Sequence, residues 1–143
     1  MNNEPVIVEQ TLNAPVEKVW KSITEADLMR QWFFDNIESF IPELGFATHF
    51  DVNSKDTIYQ HLWKIIDVIN QQKITIEWRY GGFTGDSTVT FELFPEKNMT
   101  KLILTHEGIE SFPQDNPDFS RESCRAGWNY IIGTRLKDFI EKR

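Results

Sequence analysis

At 143 residues, with 40% hydrophobic and 26% charged side chains, the chain has the length and balance of one globular domain, which excludes a disordered segment. Its 22 acidic residues outnumber 15 basic ones, for a net charge of −7. That sign argues against nucleic acid and anionic membrane surfaces as partners, since both are recognised chiefly through Lys and Arg.

Residues 6–12 read as a short strand, with Val6, Val8 and Leu12 on one face and Ile7 on the other. Asn13-Ala14-Pro15 signals a helix start, because Pro suits the first helical position, where its missing N–H had no partner. Val16, Val19, Trp20 and Ile23 follow at i, i+3, i+4 and i+7, one apolar helical face. Glu17 suits the first turn of that helix electrostatically. Residues 25–31 read as a second short helix with Leu28 and Met29 apolar, running into the aromatic cluster Trp32-Phe33-Phe34.

From residue 37 to 106 the pattern is β. Phe46, Thr48, Phe50 and Val52 share one parity. The run 59–69 changes parity between Ile65 and Val68, which predicts a bulge. Ile74, Ile76, Trp78 and Tyr80 alternate against Thr75, Glu77 and Arg79; Val89, Phe91 and Leu93 against Thr88, Thr90 and Glu92; Leu102, Leu104 and His106 against Lys101, Ile103 and Thr105. Gly81-Gly82, Gly85-Asp86 and Pro95-Glu96-Lys97-Asn98 mark turns. Short strands joined by tight turns, each with one apolar face, predict an antiparallel meander covered on one side. Residues 108–117 form a loop with two prolines. Asn116-Pro117 then predicts the start of a last helix of about 25 residues, roughly 37 Å long. Its apolar stripe is Cys124, Trp128, Ile131, Ile132, Leu136, Phe139 and Ile140. Gly127 and Gly133 inside it each cost about 1 kcal/mol against Ala, and either permit a close approach or leave room for something else.

The lone Cys124 excludes an internal disulfide and fits a reducing compartment. Met1 to Pro5 lacks the basic start and apolar run of a signal peptide, and no segment approaches the roughly 18 apolar residues of a membrane span. The expectation is a cytoplasmic protein without membrane insertion, a single domain over residues 1–143.

The order is therefore strand, two helices, a six-strand antiparallel run and one long helix. Asn13-Ala14-Pro15-Val16-Glu17-Lys18-Val19-Trp20 resembles the opening motif of the START and birch-pollen-allergen-like superfamily, and Leu28-Met29-Arg30-Gln31-Trp32-Phe33 its second signature. Thr100-Lys101-Leu102-Ile103-Leu104-Thr105-His106 and Gly127-Trp128 resemble the third and fourth. Together they resemble the branch named after the activator of the ninety-kilodalton heat-shock protein ATPase, across nearly the whole chain. The resemblance implies an α+β helix-grip fold, a curved antiparallel sheet wrapped around a long C-terminal helix. It implies two kinds of activity. The founding member binds the chaperone and stimulates its ATPase with an additional N-terminal domain; this sequence opens at the first strand, which lowers that expectation. Relatives in the wider superfamily bind lipids, hormones or polyketides between sheet and helix, and some catalyse reactions there. Where the family often has Gly before the apolar pair of the central strand, this chain has Trp63, which shrinks the pocket if it points inward.

The inner-face candidates for ligand contact are Trp32, Phe50, Trp63, Trp78, Tyr80, Phe91, His106, Trp128 and Ile132. They line an apolar cavity with a few orienting polar groups, or they simply fill the core. Trp78 and Tyr80 carry polar handles that want partners when buried. His106 is a polar anchor, a general base or a hydrogen-bonded core histidine. Glu107, its neighbour, points to the opposite face and forms no acid–base pair with it. His49 and His61 have no metal-ligand spacing, so no metal is expected. Cys124 has no base adjacent in sequence and reads as a small buried thiol. Gly81-Gly82-Phe83-Thr84-Gly85 lies between strands and reads as a hairpin turn rather than a phosphate loop. No catalytic residue or cofactor is assigned. The leading expectation is non-enzymatic binding of a small apolar or amphipathic molecule between sheet and last helix. Its carbon would be buried by Trp78, Phe91 and Trp128 and oriented by Tyr80 or His106. The alternatives are a chaperone cofactor and a cyclase- or hydrolase-like enzyme using the same cavity.

Overall fold

The computed structural model describes residues 4–54 and 56–142. The single-domain expectation also takes in Met1, Asn2, Asn3, Lys55 and Arg143, which lie outside the described residues. The elements are β1 (Val6–Leu12), α1 (Val16–Thr24), α2 (Ala26–Trp32), β2 (Ala47–Ser54), β3 (Thr57–Ile69), β4 (Lys73–Tyr80), β5 (Ser87–Glu96) and β6 (Met99–Glu107). They are followed by 3-10 turns at Ile109–Ser111 and Pro117–Phe119 and a C-terminal helix, α3, of 21 residues. This is the α+β helix-grip arrangement. All six strands form one antiparallel sheet in the order β1-β6-β5-β4-β3-β2.

Five strands follow the helices, one fewer than the expected run, and β1 supplies the sixth by pairing Val6 with His106 and Leu12 with Thr100. Residues 37–46 form no strand; Ile37 and Phe40 bury their side chains from a loop instead. The parity change on β3 is a register shift between Ile65 and Asp67. It bends the strand and increases its local twist. On every strand the buried residues alternate with exposed or half-buried ones, so one face carries the core. Thr100 closes the seam between β6 and the first helix by donating its hydroxyl to the Ala14 carbonyl at 2.8 Å.

The last helix starts later than the sequence suggests. The Asn116 side chain accepts from the Asp118 N–H, which tightens Pro117–Phe119 into a 3-10 turn. Ser120 is extended, with φ −71° and ψ 154°, and its hydroxyl oxygen caps the true helix by accepting from the Ser123 N–H at 3.1 Å. The helix is α over Arg121–Tyr130, widens to a π-helix over Ile131–Leu136 and returns to α over Lys137–Glu141. Trp128, Ile132, Leu136 and Ile140 are all buried, each four residues from the last. In a plain α-helix such a series drifts around the axis by about 40° per step. The wider i→i+5 turns reduce that drift and keep the four side chains on the sheet. At the end of β6, Gly108 has φ +88°, and a Cβ there would stand 2.7 Å from the Asp86 carbonyl. Only glycine fits, and its turn directs residues 109–120 across the open end of the sheet.

Candidate functional site

The centre of the space between sheet and helices is solid. The chain leaves α2 at Phe33, whose N–H donates to the Met29 carbonyl at 2.8 Å, and the Phe33 side chain turns inward. Its ring stacks on Trp32 at 4.6 Å and on Phe34 at 4.6 Å. It also meets Trp63 at 5.4 Å, Trp128 at 5.8 Å, Trp78 at 6.2 Å and Phe91 at 6.5 Å. Trp63 points inward, packs edge-on against Phe50 at 4.7 Å, and fills the β3 side of this space. Its Nε1 is the one buried side-chain nitrogen or oxygen without a hydrogen bond among the described residues.

One end of the space stays open. A cavity of about 170 Å³ lies between the sheet and the first turns of α3. His61 of β3, Trp78 and Tyr80 of β4, and His106 of β6 form its sheet side. Ser123, Cys124, Gly127, Trp128 and Ile131 of α3 form the opposite wall. Phe34 closes it toward the core; Ile109, Phe112, Asp118 and Phe119 form the rim. A larger groove of about 580 Å³ between α1 and residues 40–42 presents the charged Glu17, Lys21, Glu25 and Asp27 beside Trp20 and Phe40. Of the nine residues expected on the inner face, Trp78, Tyr80, His106 and Trp128 line the cavity. Trp32, Phe50, Trp63, Phe91 and Ile132 are buried in the core beside it.

The rim is tied down by polar contacts. The Tyr59 hydroxyl donates to Asp118 Oδ2 at 2.6 Å and accepts from Asn116 Nδ2 at 3.0 Å. Burial and then the Asp118 carboxylate hold that phenol above its ordinary range. Phe112 and Phe119 pack on Tyr59, Tyr80 and Phe83, making a second small apolar cluster at the rim.

A hydrogen-bonded chain runs behind the cavity wall. Indole N–H groups only donate, so Trp128 Nε1, 3.0 Å from His106 Nδ1, makes Nδ1 an acceptor. The proton of the ring is therefore on Nε2, which donates to Ser87 Oγ at 2.9 Å. Ser87 in turn donates to the Trp78 carbonyl at 2.7 Å. Cys124 Sγ stands 3.2 Å from the same Nδ1, sharing its single lone pair with Trp128. Sequence reasoning found no base for Cys124, because His106 lies 18 residues away on another element. The two groups nevertheless stay neutral: burial pushes the thiol up to about 12 and the imidazole down to about 4. The pair is thus a hydrogen bond and lacks the thiolate–imidazolium character of an activated nucleophile. Ser87→Ala should cost about 1–3 kcal/mol, since it strands the His106 N–H and the Trp78 carbonyl in the interior. Urea unfolding at neutral pH would read this as a lower midpoint with an unchanged slope.

The remaining polar groups of the sheet wall belong to His61, Trp78 and Tyr80. His61 Nδ1 donates to the Tyr59 carbonyl at 3.1 Å, which leaves Nε2 as a lone-pair acceptor. Burial depresses this histidine to about 4, against smaller opposing effects from that hydrogen bond and from Asp51. Trp78 Nε1 donates to the Tyr80 hydroxyl oxygen at 3.0 Å. Burial holds the Tyr80 phenol above its ordinary range, so it keeps its proton at any ordinary pH. Among the described residues, no group of three or more His, Cys, Asp or Glu is arranged to hold a metal ion.

Several lining residues escaped the sequence reading. His61 shares inner-face parity with Tyr59 and Trp63, so the alternation on β3 could have found it. Phe34, Phe112 and Phe119 sit in irregular segments, where no periodicity marks a facing direction. Gly127 lines the mouth, and a Cβ built on it meets nothing within 4 Å. The absence of a side chain keeps the mouth open there. Gly133 has ordinary contact with Gln10 at 3.6 Å.

The family model described as "Activator of Hsp90 ATPase homolog 1-like protein" matches residues 13–141. No curated protein matches the chain. Among solved structures, protein MLL2253 from Mesorhizobium loti is 23% identical, with a TM-score of 0.75, covering 97% of this chain and 98% of that one. Protein CV1439 from Chromobacterium violaceum is 19% identical at a TM-score of 0.80, with 99% of each chain covered. Protein BH1534 from Bacillus halodurans is 25% identical at a TM-score of 0.71, covering 95% of this chain and 96% of that one.

Proposed function

From the premise that this chain belongs to the Activator of Hsp90 ATPase homolog 1-like family, we propose that it binds a small apolar or amphipathic molecule without transforming it. The molecule lies between the sheet and α3. The observation that carries this reading is the cavity of about 170 Å³, enclosed by aromatic rings and edged by uncharged polar groups. Such a mixture of apolar enclosure and sparse hydrogen-bonding groups is what small-molecule sites present. The volume favours a compact ligand over a long-chain lipid, since a dry cavity of about 150 Å³ already accepts benzene. The neutral Cys124–His106 pair supports binding over nucleophilic catalysis. In this reading residues 1–143 act as one domain, with Trp78, Tyr80, His106 and Trp128 at the ligand and Trp32, Phe50, Trp63, Phe91 and Ile132 shaping the wall behind it. The lone Cys124 and the net charge of −7 accord with a cytoplasmic protein. Among the described residues no helix is long and apolar enough to cross a membrane.

Native mass spectrometry of the freshly purified protein, incubated with a panel of small aromatic metabolites and lipids, tests the reading. A retained adduct that disappears in Gly127→Leu is the expected result, because a leucine side chain there enters the empty mouth without disturbing the core. A bare mass throughout, or an adduct indifferent to Gly127→Leu, would overturn the placement. The family match favours a chaperone cofactor as the second reading; it predicts stimulation of a chaperone ATPase by the purified chain, and no stimulation would count against it.

A further inference from the structure

The polar groups on the sheet wall of the cavity, on His61, Trp78, Tyr80 and His106, can be counted proton by proton, and the count leaves two unused. Trp128, His106, Ser87 and the Trp78 carbonyl satisfy one another in series. The Trp78 indole N–H is spent on the Tyr80 oxygen, so the Tyr80 O–H proton must point elsewhere, and no acceptor meets it among the described residues. The His61 N–H is spent on the Tyr59 carbonyl, and no donor meets Nε2 among the described residues. His61 is only 6% exposed, and its Nε2 is not an enclosed atom, so what accessibility it has comes from the cavity that the residue lines. His61 and Tyr80 are also neighbours, with ring centroids 4.9 Å apart, and both line the cavity. They offer one acceptor and one donor at adjacent points of one wall.

Charge narrows the ligand further. The histidines and the thiol in the lining are neutral. Among the described residues the only formally charged side chain in the lining is Asp118 at the rim, a negative one. An anionic ligand would therefore lose its hydration and gain no countercharge. Volume narrows it again, to about one aromatic ring.

We propose that the cavity recognises a neutral, single-ring phenol whose ring lies among Phe34, Trp78, Phe112 and Trp128 and whose hydroxyl bridges the two unused groups. The hydroxyl donates to His61 Nε2 and accepts from the Tyr80 O–H. One oxygen does both, which a methyl ether, a hydrocarbon or a carboxylate does not. The inference rests on the binding reading above and assigns it a chemical class.

Calorimetric titration of the full chain at neutral pH with phenol, anisole, toluene and benzoate tests it. Phenol should bind at least tenfold more tightly than anisole or toluene, and benzoate should not bind measurably. Tyr80→Phe should remove most of the preference for phenol over toluene. The comparison among ligands on the unaltered protein stands whether or not that variant folds. Equal affinities for phenol, anisole and toluene would overturn the hydroxyl recognition and leave the cavity reading intact. Tighter binding of benzoate than of phenol would overturn the charge argument. Failure of every ring compound to bind would sink both the inference and the reading it rests on.

Discussion

Phe33→Ala is expected to lower the unfolding free energy by about 3–5 kcal/mol, the range for emptying a buried phenylalanine site. Phe33 is 2% exposed and sits between Trp32 and Phe34, with Trp63, Trp78, Phe91 and Trp128 around its edge. These large rings belong to different elements and are braced by other contacts, so they cannot all collapse into the gap. The loss should therefore approach the upper part of the range. A domain of this size has about 5–15 kcal/mol in all, which leaves the variant folded but weakened. A functional change should accompany the loss. Phe34, Trp78 and Trp128 also line the cavity, so the emptied space opens into it. Two-ring aromatic ligands such as 2-naphthol, excluded from the parent, should bind the variant. Urea unfolding and a naphthol titration on the same preparation check both parts. A loss under about 1 kcal/mol would show that Phe33 does not plug the core, and unchanged ligand size selection would show that it does not bound the cavity.

Acid should destabilise the protein steeply between about pH 6.5 and pH 4, before its carboxylates are fully protonated. His61 and His106 are both held down to about 4 in the folded state, chiefly by burial, against 6.5 for an ordinary histidine. Between those values the unfolded chain binds two protons that the folded chain refuses. Stability therefore rises with pH across the window, is fully present above about 6.5 and is lost as pH falls toward 4. The slope for two histidines is about 2.7 kcal/mol per pH unit, and each withdraws about 3 kcal/mol by pH 4. Asp67 and Glu141, whose carboxyls are lowered first of all by Lys73 and Lys137, act in a lower window and in the same direction. Urea unfolding free energies measured at intervals across this range give the slope directly. His106→Gln keeps an acceptor for Trp128 and a donor for Ser87 without a titrating ring, so it should remove about half the slope. An unchanged slope in that variant would mean that His106 takes up its proton while folded.

Strand parity was the most informative property of the sequence. Alternation with period two placed Trp78, Tyr80 and His106 on the inner face, and the structure shows all three at the cavity. The four-residue interval between Cys124 and Trp128 put both on one side of the last helix, and both approach His106. The broken parity of β3 announced the bulge. Irregular segments carry no such rule. Residues 37–46 fall within the expected β run, but Ile37 and Phe40 bury themselves from a loop. Likewise Asn116-Pro117 has the composition of a helix start and forms a 3-10 turn, because Ser120 supplies the better cap.

The local pattern of residues thus determined the class of fold, since the periods of strand and helix are properties of the backbone and need no partner. Whether an inward side chain meets a neighbour or a space was decided only in three dimensions. Trp63 and Trp78 are equally apolar and equally inward, yet one packs into the filled centre and the other also borders the cavity, because Phe33 turns in beside them from a separate element. The rim was decided the same way, when Tyr59 met Asp118 across 59 positions of chain. So was the protonation of His106, settled by an indole donor on the facing helix. Such contacts depend on which distant groups the closed fold brings within about 3 Å, and hydrogen bonds that short have no signature in sequence spacing.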